Sequence, residues 1–354
     1  MTIDLHLDLS MNAMEWNRDL RLSVDVINDR ERGMNDKPDR GNATVSFPAL
    51  REAGVDLVVA TQLARVVKPG SAIPGWFSAE QAWAQTQAQL AWYRSMEECG
   101  EMQQVADLQQ LEAHLKFHEK NKDGKKTIGF ILSLEGADSL VDISYVERAY
   151  NYGLRAIGPA HYGPGRYANG TNSTGEMGTE GLALLREMER LNIILDATHL
   201  CDDAFWQAMD HFHGHVWASH NNCRSIVDHN RQYSDEQIRE LIDRGAIIGA
   251  AMDAWMIVPG WVKNQSTPEN MQCNLEKLTD HVDHICSLAG NSRHVCIGTD
   301  LDGGYGREQC PGDIKSIADL VKWPDIFLKR GYNEEDISNI FRDNALRFLR
   351  NAWS

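Results

Sequence analysis

Eight short apolar runs, each followed by a helix-forming stretch, constrain this 354-residue chain more than any other feature. They fall at residues 3–9, 55–60, 128–134, 154–158, 193–198, 216–219, 246–252 and 295–299. Each is apolar on both faces, as the strands of a parallel sheet covered by helices must be. Such alternation with no linker predicts a closed (β/α)8 TIM barrel, one domain over residues 1–354. An open doubly wound sheet is the alternative, but no Gly-rich dinucleotide fingerprint follows the first strand.

Between the strands, residues 10–44 are polar and irregular and read as a long loop, closing on Pro38-Asp39-Arg40-Gly41. Phe47 to Gly54 reads as a short helix with Pro48 in its first turn. Ser78-Ala79-Glu80 opens a long helix whose Trp83, Leu90, Tyr93 and Met96 fall at helical spacing, a packing stripe. A second helical piece covers about 107–120, and Asn121 to Lys126 reads as a charged turn. A Gly-rich loop spans 163–178, and helices close the chain.

The first strand carries chemistry. In Ile3-Asp4-Leu5-His6-Leu7-Asp8-Leu9, strict alternation puts Asp4, His6 and Asp8 on one face and the aliphatic residues on the other. In a barrel the chemistry sits at the C-terminal ends of the strands. Strand one brings His6 and Asp8 there, strand three Glu135, strand four His161, strand five His199, strand six His220, strand seven Asp253 and strand eight Asp300. Strand two, ending near Thr61-Gln62, is the exception. A lone histidine at a strand end is usually just hydrogen-bonded, and a lone aspartate there usually marks a turn. A converging set is different: buried carboxylates and imidazoles repel one another or resist desolvation unless cations compensate them. Three neutral histidines with two or three carboxylates suit a pair of borderline divalent ions such as zinc. His211, His213 and His215 precede strand six and so face solvent at the barrel bottom, while His114, His118, His281 and His284 lie on helices without a paired carboxylate pattern.

A formal net charge of −16 argues against nucleic acid and anionic membranes as partners. Seven scattered cysteines form no disulfide framework, and Cys201, Cys223 and Cys296 read as reduced thiols. No run approaches membrane-spanning length and no signal-like segment precedes the first strand, so a cytoplasmic protein is expected. Trp76, Trp83, Trp92, Trp255 and Trp261 offer apolar surface for a homodimer.

The ordered set His6-x-Asp8, Leu134-Glu135-Gly136, Pro159-Ala160-His161, Thr198-His199, Ala218-Ser219-His220, Arg231 and Gly298-Thr299-Asp300-Leu301-Asp302-Gly303 resembles the renal (membrane) dipeptidase family of the amidohydrolase superfamily. The resemblance runs almost the whole chain, through Asp343-Asn344-Ala345-Leu346-Arg347. It implies two zinc ions per chain, one on His6 and Asp8, the other on His199 and His220, bridged by Glu135. It also implies that His161 contacts the scissile group, Arg231 binds the substrate carboxylate and Asp300 is the catalytic aspartate that shuttles the proton. The implied reaction is hydrolysis of a dipeptide with a free carboxylate, including L-Xaa-D-Xaa, by a hydroxide shared between the ions. Leu5 and Leu7 replace the family's Gly and Asn in the opening motif, and Gln232 replaces Asn after the arginine. These departures leave the ligand set intact and bear on the pocket, which 10–44 and His161 to Gly178 would line. An amidohydrolase acting on N-acyl amino acids or another small amide or ester is the alternative. A catalytically silent scaffold would have lost a ligand, and none of the five is lost.

Overall fold

The computed structural model describes residues 1–121 and 126–354, so positions 122–125 of the charged turn lie outside the described residues. The strands are β1 (Thr2–Leu7), β2 (Val55–Gln62), β3 (Met102–Gln104), β4 (Ile128–Glu135), β5 (Leu154–Gly158), β6 (Ile194–Asp196), β7 (Val216–Trp217), β8 (Ile248–Ala250) and β9 (Val295–Ile297). Hydrogen-bonded neighbours run β7-β6-β5-β4-β2-β1-β9-β8, all parallel, while β3 pairs with β4 off this path. The ring closes between β7 and β8, where Ala218 N donates to Ile247 O (2.9 Å) and Gly249 N donates to Ala218 O (2.8 Å). Glycine is required at this seam: a Cβ at Gly249 or Gly298 would lie 1.9 Å from the Ser219 carbonyl oxygen. The result is the eight-stranded barrel expected from the alternation. The short extra strand β3 was not anticipated; only three residues long, it has no room for a sequence pattern.

Two apolar layers pack the barrel. One takes residues from all eight barrel strands, among them Leu57, Ile131, Ala156, Ile194, Trp217, Ile247 and Cys296. Their strand neighbours Val58, Phe130, Leu195, Val216, Ile248 and Ile297 belong to the layer shared with the helices, so this smaller set is the inner core. The C-terminal helix (Asn344–Ala352) floors it with Phe348, whose ring lies 5.6 Å from that of Trp217. The larger layer lies between strands and helices. It holds Tyr93, on the long helix Ala79–Glu98, and Phe130 of β4, stacked at 5.1 Å.

β1 departs from strict alternation. Ile3 and Leu5 belong to the inner core, whereas Leu7 belongs to the outer layer, and the pairing with β2 slips between Asp4 and Leu7. Asp4 is therefore not on the face of His6 and Asp8. Its carboxylate accepts from His6 N (3.1 Å), Thr299 N (2.9 Å) and Thr299 Oγ1 (2.6 Å). A side chain that captures the backbone two residues on stabilises such an irregularity, and here it swings His6 inward.

The segment 10–44 is only in part the expected loop: residues 16–23 and 31–44 are turns and irregular chain, and the rest is helical. It continues α1 (Leu9–Glu15) and contains α2 (Val24–Arg30), which Ser23 caps by accepting from Val26 N. Its polar residues are buried with one another. Arg18 donates to Glu31 (2.8 Å), Asp39 (2.9 Å) and Asn12 (2.7 Å), and Asn12 Nδ2 donates to Asp302 O (2.8 Å). Removing one partner from a buried ion network costs about 3–5 kcal/mol, so this set clamps the segment against the end of β9. Composition alone does not distinguish such a network from a solvated loop.

The expected helices flank β2: α3 (Phe47–Glu52) precedes it, and α4 (Ala79–Glu98) and α5 (Leu108–Lys120) come after, capped by Ser46, Ser78 and Asp107. On α5, His114 approaches Asp56 O (2.8 Å), and His118 pairs with the Asp56 carboxylate (3.2 Å), a pairing the sequence did not reveal. Both are packing groups at the barrel bottom. His211 and His213 are exposed as expected, but His215 is half-buried with its ring against Phe348. Of the five tryptophans, Trp76 is the exposed one. All seven cysteines are free, and among the described residues no helix is long and apolar enough to cross a membrane.

Candidate active site

At the C-terminal ends of the strands the barrel opens into a cleft of about 730 Å³. Asp8, Glu135, His161, His199, Arg231, Asp253 and Asp300 line it, and His6 and His220 lie beneath, each 1% exposed. Every residue singled out at a strand end thus reaches one place.

The centre is a single oxygen. Glu135 Oε1 lies 3.7 Å from His6 Nε2, 3.8 Å from His161 Nε2, 3.4 Å from His199 Nε2 and 3.5 Å from His220 Nε2. Asp8 and Asp300 approach His6 Nε2 at 3.7 and 3.8 Å. Two of these residues, His199 (φ 69°) and Asp300 (φ 56°), hold the left-handed backbone conformation that favours glycine. That conformation costs a side-chain-bearing residue about 1–2 kcal/mol and is tolerated where the surroundings fix it for function.

The outer nitrogens of the imidazoles are all held. His6 Nδ1 and His220 Nδ1 both approach Ser219 Oγ, at 3.2 and 2.9 Å, and His199 Nδ1 approaches Thr171 Oγ1 at 2.9 Å. A hydroxyl has two lone pairs, so Ser219 can accept from both rings and turn its own hydrogen to Thr198 Oγ1, 3.5 Å away. With Nδ1 as the donor on each ring, the Nε2 lone pairs face Glu135, and those of His199 and His220 lie 3.2 Å apart, a repulsion that a cation relieves. His161 is the opposite case: its Nδ1 accepts from Arg65 Nε at 2.6 Å. An arginine can only donate, so the His161 proton sits on Nε2 and points into the cleft.

Three overlapping sets could each hold an ion: His6 with Glu135 and His220, Glu135 with His161 and His199, and His6 with Asp8 and Asp300. The residues fit metal ions on three counts. His6 Nε2 is buried with no hydrogen-bond partner. Burial holds His6 down to about 3 and His199 and His220 well below the usual imidazole range, so their rings are neutral ligands. Burial, then mutual repulsion with Asp8, pushes Glu135 and Asp300 well above the carboxylate range, a conflict that bound cations relieve. His161 stands apart, because its inward nitrogen carries a hydrogen in place of a lone pair.

β2 is no exception after all. Thr61 Oγ1 donates to the Asp8 carboxylate, and Arg65, three residues past the strand, holds His161. Asp196, on β6, orients the seam by accepting from Ser219 N (3.0 Å) and Thr198 N (3.1 Å). None of the three stands out among strand-end metal ligands: a threonine and an arginine are not ligands, and Asp196 lies within its strand. Arg231 Nη2 donates to His220 O (2.9 Å) and Nη1 to Asn221 Oδ1, while its buried Nε has no partner.

Asp253 gives a pH prediction. Burial pushes its carboxyl up to about 7, against hydrogen bonds from Gln309 Nε2 (2.9 Å) and Trp255 Nε1 (2.6 Å). The folded state therefore keeps a proton that the unfolded chain releases near 3.8, and this stabilisation fades as pH rises through about 7. In urea titrations of the metal-free protein, Asp253→Asn is expected to gain on the parent steadily between pH 4 and 7. A pH-independent difference would contradict the assignment.

An eight-stranded barrel with this histidine–carboxylate cluster at its strand ends defines a metal-dependent hydrolase. The chain belongs to the membrane dipeptidase family, peptidase family M19, whose sequence profile matches residues 1–353. It is 28% identical over 229 residues to dipeptidase verJ of Clonostachys rogersoniana, covering 62% of this chain and 55% of that one. It is 25% identical over 237 residues to a Klebsiella pneumoniae protein from the pqqA 5′ region, covering 64% and 83%. The match spans about half the length of the fungal dipeptidases. The fold is that of a Rhodobacter sphaeroides metallo peptidase liganded with a phosphinate mimic of the dipeptide L-Ala-D-Ala, with TM-score 0.78, 18% identity and 99% coverage of both chains.

Proposed function

We propose that this protein is a dinuclear zinc dipeptidase that hydrolyses short peptides with a free C-terminal carboxylate, L-Xaa-D-Xaa among them. The observation that carries this reading is the convergence of four imidazole Nε2 atoms on Glu135 Oε1. His6 and Asp8 would hold one ion, His199 and His220 the other, with Glu135 shared. Bound there, the ions supply Lewis acidity and a water ionised near neutral pH.

The remaining groups divide the work of amide hydrolysis. Arg231 binds the terminal carboxylate and so fixes the peptide bond over Glu135; its guanidinium is already oriented by His220 O and Asn221. His161 Nε2–H donates to the carbonyl oxygen as negative charge develops on it. Asp300 takes the proton from the attacking water and delivers it to the amine as the C–N bond breaks.

Steady-state kinetics on a dipeptide and its C-terminal amide test this reading. The amide is expected to be a poor substrate for the parent. Arg231→Lys, which keeps the charge but loses the fork, should raise KM for the free dipeptide about tenfold or more with a smaller change in kcat. Equal kcat/KM for acid and amide would remove Arg231 from carboxylate binding.

A further inference from the structure

Arg231 is not the only arginine that lines the cleft. Arg65 does so too, from the segment after β2. In the ring β7-β6-β5-β4-β2-β1-β9-β8, β2 stands four places from β7, directly across the mouth from the strand that leads to Arg231. Both guanidinium groups bear on His161 and Glu135.

Neither arginine makes an ion pair with a carboxylate among the described residues. Arg65 spends Nε on His161 Nδ1 (2.6 Å), and its Nη2 passes 3.4 Å from His161 Nε2. Its backbone is fixed, because Trp76 N donates to Arg65 O at 2.8 Å. Lys37, stacked on the Trp16 ring at 4.3 Å, adds a second cation to the cleft. Glu15 is the acid that bears on both Arg65 and Lys37, and it hydrogen-bonds to Gln85 (3.3 Å). Glu135, Asp8 and Asp138 bear on Arg65 too, but among the described residues none of these carboxyls comes within ion-pair distance of it. Arg65 is half-buried, and a guanidinium with donors left over toward the cleft gains a charge-assisted pair when an anion arrives.

We infer that Arg65 is a specificity residue for a second anionic group, so that preferred substrates carry a carboxylate on each side of the scissile amide. The chemical class is a dipeptide with an acidic N-terminal residue, or a dicarboxylic acyl group on an amino acid. The inference rests on the proposed amide hydrolysis at this site. An unspent charged donor set disfavours a lone ammonium there and rewards a carboxylate, a charge-assisted contact that favours the right ligand by about ten- to a hundredfold.

The test compares isosteres on the metal-loaded enzyme: L-Glu-D-Ala against L-Gln-D-Ala, and N-succinyl-D-Ala against N-butyryl-D-Ala. The acidic member of each pair is expected to have the higher kcat/KM, by about tenfold or more, and Arg65→Gln should bring the dipeptide ratio near one. Because Arg65 also holds His161, the acid-to-neutral ratio is the readout, and an overall loss of rate is not. If L-Glu-D-Ala and L-Gln-D-Ala are cleaved equally, the inference fails while the dipeptidase reading stands. If only the N-acyl pair is cleaved, with succinyl preferred, the dipeptidase reading fails and the inference stands. If no member of the panel is cleaved, both fail.

Discussion

Replacing Asp300 by Asn is expected to lower kcat about a thousandfold, within the range spanned by lost general acid–base catalysis, with the metal content unchanged. Asn keeps the size and one oxygen but has no basic lone pair to accept a proton. Asp300 is at the mouth of the cleft, with its side chain 14% exposed, where His6 is 1% exposed, so it is the carboxylate best placed to meet water. His6, Asp8 and Glu135 remain to hold the ion that Asp300 approaches. The left-handed backbone at this residue is also easily kept, since Asn tolerates it as well as Asp. Single-turnover rates beside elemental analysis check the prediction. An Asn variant as active as the parent would remove the proton-shuttle role.

Glu135→Gln is expected to have the second large effect, and a different one. Glu135 Oε1 is the atom on which the imidazoles converge, so losing its charge should cost metal retention as well as turnover. Stability of the metal-free protein should barely change. Burial already pushes this carboxyl well above its ordinary range, so the neutral acid is the better model of its metal-free state, and Gln resembles it. Thermal melts with and without added zinc separate the two effects. The parent should gain stability with metal, by mass action on the folded state; the variant should melt near the metal-free parent and gain little. A variant that retains its full complement of metal would contradict a bridging role.

Much of this architecture was readable before any coordinates. Period and length decide it: runs of four to eight apolar residues followed by helical stretches admit few folds, and the barrel rule then says where to look for chemistry. His6, Asp8, Glu135, His161, His199, His220 and Asp300 were found that way, each at or just after a strand. What escaped was what depends on three-dimensional contact. The turn of β1 that brings His6 inward comes from Asp4 bonding across to Thr299, nearly three hundred residues away. The helices within 10–44 are stabilised by Arg18, Glu31, Asp39 and Asn12 burying one another, and local sequence records only their polarity. Arg65 stands as far past its strand as His161, His199, His220 and Asp300 do past theirs, but arginine ligates no metal, and only its bond to His161 marks it.

The account turns on one claim, that the strand-end cluster is a two-ion hydrolytic centre. Elemental analysis of the purified, zinc-reconstituted protein tests it most directly, read beside cleavage of an L-Xaa-D-Xaa dipeptide before and after chelation. The prediction is about two equivalents of zinc per chain, with cleavage lost on chelation and restored on adding zinc back. Absence of stoichiometric metal after reconstitution would mean that four buried imidazoles and three carboxylates converge for some other reason, and the hydrolytic assignment would fall with it.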